Sequence, residues 1–83
     1  MVTVNFPASL AHMAGHSVVV REAVSNVGQL IQALEKLAPG MAKELDDPLY
    51  NIAINQEILL HSVDARPVND GDVVEIIPSM AGG

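Results

Sequence analysis

The residues that could carry chemistry stand at the end of the sequence, where residues 78–83 read Pro-Ser-Met-Ala-Gly-Gly. Two glycines form a bare, narrow backbone, so no side chain shields the α-carboxylate of Gly83. A β-branched strand precedes them and would anchor this chain end, and Pro78 would stop that strand. The pattern favours a carboxylate that is inserted into another protein's active site. Terminal glycines also occur in inert, frayed tails.

Composition narrows the kind of partner. The chain has 83 residues, enough for one small domain with a thin core. Ten acidic residues against four basic ones give a net charge of −6, which argues against nucleic acid and favours a partner with a basic docking surface. There is no cysteine, so no disulfide framework or thiol nucleophile is expected. The longest apolar run is too short to cross a membrane, and we expect a cytoplasmic protein.

The remaining candidate residues argue against a metal or catalytic site in the body of the chain. His12 and His16 have the spacing of two ligands on a helix, but Gly15 lies between them and no third ligand is near. The aspartates stand in turns, where they cap backbone donors. We therefore expect no metal site and no catalytic constellation among these residues.

Period-2 alternation at residues 2–6 and 50–55, together with short apolar runs elsewhere, predicts the strands that would position the chain end. They are expected at residues 2–6, 17–22, 50–55, 58–60 and 73–77. On the last strand Val74 and Ile76 share one face, whereas Glu75 marks the other face as wet. Ile77 would then be an apolar residue on the solvent side, next to the tail.

One segment has the apolar spacing of a full helix, with Ser25 or Asn26 as its cap and Pro39-Gly40 as its stop. Its buried face would consist of Val27, Leu30, Ile31, Leu34 and Leu37. Brief helical turns are expected at residues 9–15, with Ser9 as N-cap and Gly15 as stop, and at residues 41–45.

One main helix and one sheet must cover each other's apolar faces. We predict an α+β fold in which the helix lies across a mixed sheet of four or five strands, with the first and last strands as the central parallel pair. This is the β-grasp, ubiquitin-like arrangement. It would occupy residues 1–78, and residues 79–83 would form a flexible Gly-Gly tail.

A family resemblance rests on segments from most of the chain. They are Asn-Gln-Glu-Ile at 55–58, Asn-Asp-Gly-Asp at 69–72, the strand at 73–78, and Ala-Gly-Gly at 81–83. Together they resemble the MoaD/ThiS family of ubiquitin-like sulfur carriers. Residues 6–10, 13–15 and 39–41 resemble the branch of molybdopterin synthase small subunits in particular.

The resemblance implies a reaction cycle in which this chain is a carrier. An E1-like adenylyltransferase would use ATP and magnesium to adenylate Gly83, and a sulfur donor would then convert the acyl-adenylate into a thiocarboxylate. The acceptor would be the large subunit of molybdopterin synthase or another sulfur-accepting enzyme. The chain itself would bind no cofactor.

The resemblance also assigns roles to individual residues. Gly83 would carry the reactive carbonyl, while Ala81 and Gly82 would fit the partner's narrow channel. Partner docking would use an apolar patch near the tail. Its residues would be Pro7, Ile58, Ile77 and Met80.

Several alternatives stay open at this point. Carriers for cysteine or another thio-metabolite end in similar Ala-Gly-Gly tails, whereas the thiamine branch usually lacks a helical segment like that expected at 10–15. A ubiquitin-like modifier joined to lysines through Gly83 would share the chemistry up to the adenylate. A plain interaction domain with an inert tail is the third possibility.

Overall fold

Five short strands form one mixed sheet in the computed structural model, which describes residues 1–79. The strands are β1 (Val2–Asn5), β2 (Ser17–Val20), β3 (Tyr50–Ile54), β4 (Glu57–Ile58) and β5 (Val73–Pro78). Their order across the sheet is β2-β1-β5-β3-β4. Strands β1 and β5 are parallel and the other pairs are antiparallel, which confirms the predicted α+β fold and its central parallel pair.

The helices cover one face of this sheet. They are α1 (Ala11–Ala14), which follows a 3₁₀ turn at Ala8–Leu10, the main helix α2 (Val27–Leu37), and α3 (Met41–Leu45). A second 3₁₀ turn, Val63–Ala65, lies in the crossover to β5 and contacts α2.

The core lies between α2 and the inner face of the sheet. Register pairs Val4 with Val74 and Ile52 with Ile76, so alternate residues of three adjacent strands point to the same side. Leu30 and Leu34 of α2 are also buried in this core. Each such side chain contributes about 1.5–3 kcal/mol, so aliphatic packing fixes β5, the strand from which the chain end emerges.

Asn26 begins α2. Its Oδ1 accepts a hydrogen bond from the Gln29 backbone N–H at 2.8 Å, and the Gln29 side chain in turn accepts from the Ser25 N–H at 2.7 Å. Of the two predicted caps, Asn26 is therefore the one used.

The prediction for Leu37 was wrong, because this residue is 60% exposed. It lies in the last turn of α2 beside the edge strand β2, where no further strand covers it.

Removing the Asn26 cap should destabilise the fold measurably. We expect Asn26→Ala to lower the free energy of unfolding by about 1 kcal/mol, because the Gln29 N–H loses its acceptor. Urea denaturation measures this loss. Asn26→Ser is the matched control and should retain most of the stability, so equal losses in both variants would contradict the capping role.

Three local predictions require correction. Ser9 does not cap a helix: the segment starts as a 3₁₀ turn in which the Leu10 N–H donates to the Pro7 carbonyl, and the Ser9 hydroxyl instead lies 2.8 Å from the Tyr50 hydroxyl. The second strand ends at Val20, before residue 22. Strand β4 is Glu57–Ile58 and does not reach residue 60, although the buried Leu59 still donates its N–H to the Ile52 carbonyl at 2.8 Å. Gly15 ends α1 with φ +81°, as predicted.

Candidate partner-docking site at the end of the central strand

The last described residues are held firmly to the sheet. Tyr50 pairs with Pro78, and the Ser79 N–H donates to the Leu49 carbonyl at 2.6 Å. We call Leu49, Pro78 and Ser79 the tail root. The predicted site residues Met80, Ala81, Gly82 and Gly83 lie outside the described residues, so their roles stay predictions.

Pro7 lies at the same end of the sheet as the tail root. Because β1 and β5 are parallel, the chain leaves both strands at one edge. Phe6 is buried there and its N–H donates to the His16 carbonyl at 2.9 Å, which fixes the exit of β1. Pro7 follows directly and is half-buried.

Ile58 and Ile77 share the outer face of the sheet, the face away from α2. Ile58 lies opposite Ala53, and Ala53 lies opposite Glu75, so these three side chains point to the same side. Ile77 follows Glu75 by two residues and points the same way. Ile58 is 50% exposed, whereas Ile77 and Glu75 are half-buried. The structure thus brings two predicted docking residues onto one accessible face, with Pro7 at the end of that sheet.

A two-residue turn positions Ile58 on that face. Asn55 and Gln56 both have positive φ, +49° and +75°, as a tight hairpin turn requires. The Asn55 side chain bridges this turn to β5: its Oδ1 accepts from the Val73 N–H at 3.0 Å and its Nδ2 donates to Asp72 at 3.1 Å. The hairpin and the start of β5 are therefore locked to each other.

Two further exposed apolar residues lie near the predicted patch but were not among the predicted docking residues. Val73 is 40% exposed on the outer face, and the alternation that placed Ile77 there also places Val73. Leu49 is 61% exposed at the tail root, with its N–H donating to the Asp47 carboxylate at 2.9 Å. It stands in a loop without periodicity, so no sequence pattern could have identified it.

Two carboxylates accept hydrogen bonds that lower their pKa values. Glu35 accepts hydrogen bonds from the backbone N–H groups of Gly40 and Ala42, both at 2.9 Å, and these bonds hold the pKa of Glu35 below its ordinary value. Glu57, beside Ile58, is hydrogen-bonded to Arg66. That contact lowers the pKa of Glu57 and raises the pKa of Arg66.

Among residues 1–79, no three histidine, aspartate or glutamate side chains come together in a group suited to a metal ion. Within that range no helix has the length and apolarity needed to span a membrane.

The architecture defines the class of protein. A mixed sheet with parallel first and last strands, crossed by one main helix, is the ubiquitin-like β-grasp fold. The family model for the ThiS family matches residues 4–83, nearly the whole chain. The chain belongs to the ThiS family, a group of ThiS/MoaD-like ubiquitin-like sulfur carriers.

Individual relatives agree with this assignment. Sulfur carrier protein CysO of Mycobacterium tuberculosis is 33% identical over 91 aligned positions, which cover 99% of this chain and 98% of the relative. The crystal structure of M. tuberculosis CysO has a TM-score of 0.85 at 29% identity, covering 95% of this chain and 99% of CysO.

Two structures of complexes extend the comparison. A chain of the Amycolatopsis orientalis BexX/CysO complex has a TM-score of 0.85 at 26% identity, with both chains fully covered. A chain from the complex of subunits 1 and 2 of the Helicobacter pylori molybdopterin-converting factor has a TM-score of 0.64 at 22% identity, covering 99% of this chain and 97% of that one. At that identity the likeness concerns the fold alone.

Proposed function

We propose that this chain is a sulfur carrier whose Gly83 carboxylate is activated by an E1-like adenylyltransferase and converted to a thiocarboxylate. The observation that carries the proposal is the membership of the ThiS family over residues 4–83, a range that includes Ala-Gly-Gly at 81–83. The fold supports it, because the core anchors β5 up to the tail root and leaves the outer sheet face accessible to a partner.

A carboxylate is a poor electrophile, so it must be activated before a sulfur donor can attack its carbonyl carbon. A Gly83 carboxylate oxygen would attack the α-phosphorus of ATP in the partner's active site, releasing pyrophosphate and forming a mixed anhydride with AMP. A sulfur donor at the oxidation level of sulfide would then attack the carbonyl carbon and expel AMP. The thiocarboxylate sulfur, a soft nucleophile, would displace a leaving group from an activated acceptor and form a thioester. Hydrolysis of that thioester would release the acceptor as a thiol and return the Gly83 carboxylate. ATP and magnesium belong to the partner in this scheme, and the chain itself is a non-catalytic carrier.

The sulfur supplied by this carrier goes, we propose, to cysteine or another thio-metabolite. The relatives that share 33% identity over almost their whole length carry the name CysO, which supports this route over molybdopterin synthesis. Residues 6–10 and 13–15, which resemble the molybdopterin branch, keep the large synthase subunit as a second candidate acceptor. The two routes share the tail chemistry and differ in the enzyme that receives the sulfur.

Mass spectrometry of the protein from its native cells tests the proposal. We expect a fraction of the free chain to be heavier by the difference between a sulfur and an oxygen atom, and iodoacetamide to alkylate that fraction at Gly83. Lysines of other proteins that carry a C-terminal peptide of this chain, joined by an isopeptide bond at Gly83, would instead identify a protein modifier. A chain found only with an unmodified carboxylate, in cells that are actively assimilating sulfur, would favour an inert tail.

A further inference from the structure

The short distance from the tail root to the reactive group limits where a partner must lie. Under the proposed function the reactive carbon belongs to Gly83, four residues after Ser79. Four residues span at most about 14 Å. Any enzyme that adenylates Gly83 must therefore place its surface against the tail root, which is flanked by the outer sheet face on one side and by residues 46–49 on the other.

The loop side of the tail root opens into a groove with a volume of about 680 Å³. The groove lies between the α2–α3 helices and the segment after β4. Asp46 and Asp47 line it at the tail-root end, and Leu60 and Asp64 line it further along. Leu60 is 75% exposed, and Ile31 of α2 adds a second apolar contact.

Charge sets the rim of this groove apart. It has three carboxylates, from Asp46, Asp47 and Asp64, and one ammonium group, from Lys43. Within the described range, no cationic group lies within ion-pairing distance of these three carboxylates, whereas Glu22 and Glu57 each have a partner. The rim has a net negative charge next to the end of the chain that a partner must approach.

From this placement we propose that the acid-rimmed groove, defined by Asp46, Asp47, Leu60 and Asp64, binds a basic, apolar-tipped segment of the adenylating enzyme. The proposal rests on the proposed function and adds a second contact to the outer sheet face. A lysine- or arginine-bearing segment complements the rim, and an apolar side chain between the cations would cover Leu60.

The negative charge of the rim favours a basic segment of the partner over two other possible occupants, the end of this chain and a second copy of it. The chain's own end carries a carboxylate, which the rim would repel. A second copy carries the same net charge of −6, so self-association through this rim is likewise opposed.

Matched charge removal tests the groove. In Asp46→Asn/Asp47→Asn, the amide oxygen introduced at position 47 can still accept from the Leu49 N–H. The control, Glu22→Gln/Asp70→Asn, removes the same charge where the amino terminus meets Asp70, at the opposite end of the sheet. The measurement is pyrophosphate release by the recombinant E1-like adenylyltransferase of the same organism. We expect the KM for the first variant to rise about tenfold at 50 mM salt and the control to stay within twofold, with the difference shrinking at 500 mM salt.

The possible results distinguish partner binding in the groove from the alternative occupants and from a failure of the carrier function. Equal KM values for the two double variants, with the wild type adenylated normally, would overturn the groove but leave the carrier function intact. A wild-type chain that the enzyme never adenylates would overturn both. If Leu60→Ser converts a dimer to a monomer in sedimentation, or if deleting residues 80–83 perturbs the Leu60 and Asp64 amide resonances, a second copy or the tail covers the groove instead.

Discussion

Gly82→Val should abolish adenylation of Gly83 while leaving the fold intact. The proposed partner channel must admit the backbone of the last residues to bring the carboxylate to the α-phosphate of ATP. A valine at position 82 would widen the chain by a branched side chain and disfavour positive φ, which glycine permits. Pyrophosphate release by the adenylating enzyme should fall to background, and the free energy of unfolding should stay within about 0.5 kcal/mol of the wild type, the usual range for a surface site.

A graded series separates steric exclusion from loss of docking. Gly82→Ala adds a single methyl group and should still support measurable pyrophosphate release. Its kcat should fall more than its affinity for the enzyme. Both variants should bind the enzyme with near wild-type affinity in titration calorimetry, because the sheet face and the tail root are unchanged. Normal activation of Gly82→Val would contradict the narrow channel.

The sequence was sufficient to predict the sheet and most of its core, for a specific physical reason. Residues of β1 and β5 alternate between aliphatic positions and polar or exposed ones. This pattern places Val4, Val74 and Ile76 together on the buried face of the sheet. The same alternation placed Ile77 outside. The cap of α2 was narrowed to two candidates, and only the observed bond from Gln29 to Asn26 chose between them.

The site was less predictable, because it depends on contacts between segments far apart in the chain. Leu49 lies in a loop without periodicity, and Leu60 lies in the strand predicted at residues 58–60 but beyond the observed end of β4 at Ile58; both are exposed. The error at Leu37 has the same origin, since helical spacing does not reveal where a sheet ends. The groove is enclosed by α2, α3, β3 and the segment after β4, which are far apart in the sequence, so local sequence patterns could not have shown it.

Truncating the two outer-face isoleucines should strongly weaken binding of the adenylating enzyme. Ile58 and Ile77 present apolar surface on the sheet face that leads to the tail root, and burial of such central apolar side chains often dominates an interface. We expect Ile58→Ala/Ile77→Ala to weaken binding of the adenylating enzyme by about thirtyfold, equivalent to about 2 kcal/mol. Calorimetric titration of the enzyme with each variant measures the Kd directly.

Val19→Ala provides the matched control for this experiment. Val19 is 39% exposed, pairs with Thr3 on the same outer face, and stands on the edge strand β2 away from the tail root. The Kd of Val19→Ala for the enzyme should stay within about twofold of the wild-type value if only the surface near the tail root contacts the enzyme. Urea denaturation must show that the double variant remains folded. A folded double variant that binds as tightly as Val19→Ala would mean that this face is not the docking surface, and contacts near the tail would then have to hold the partner without it.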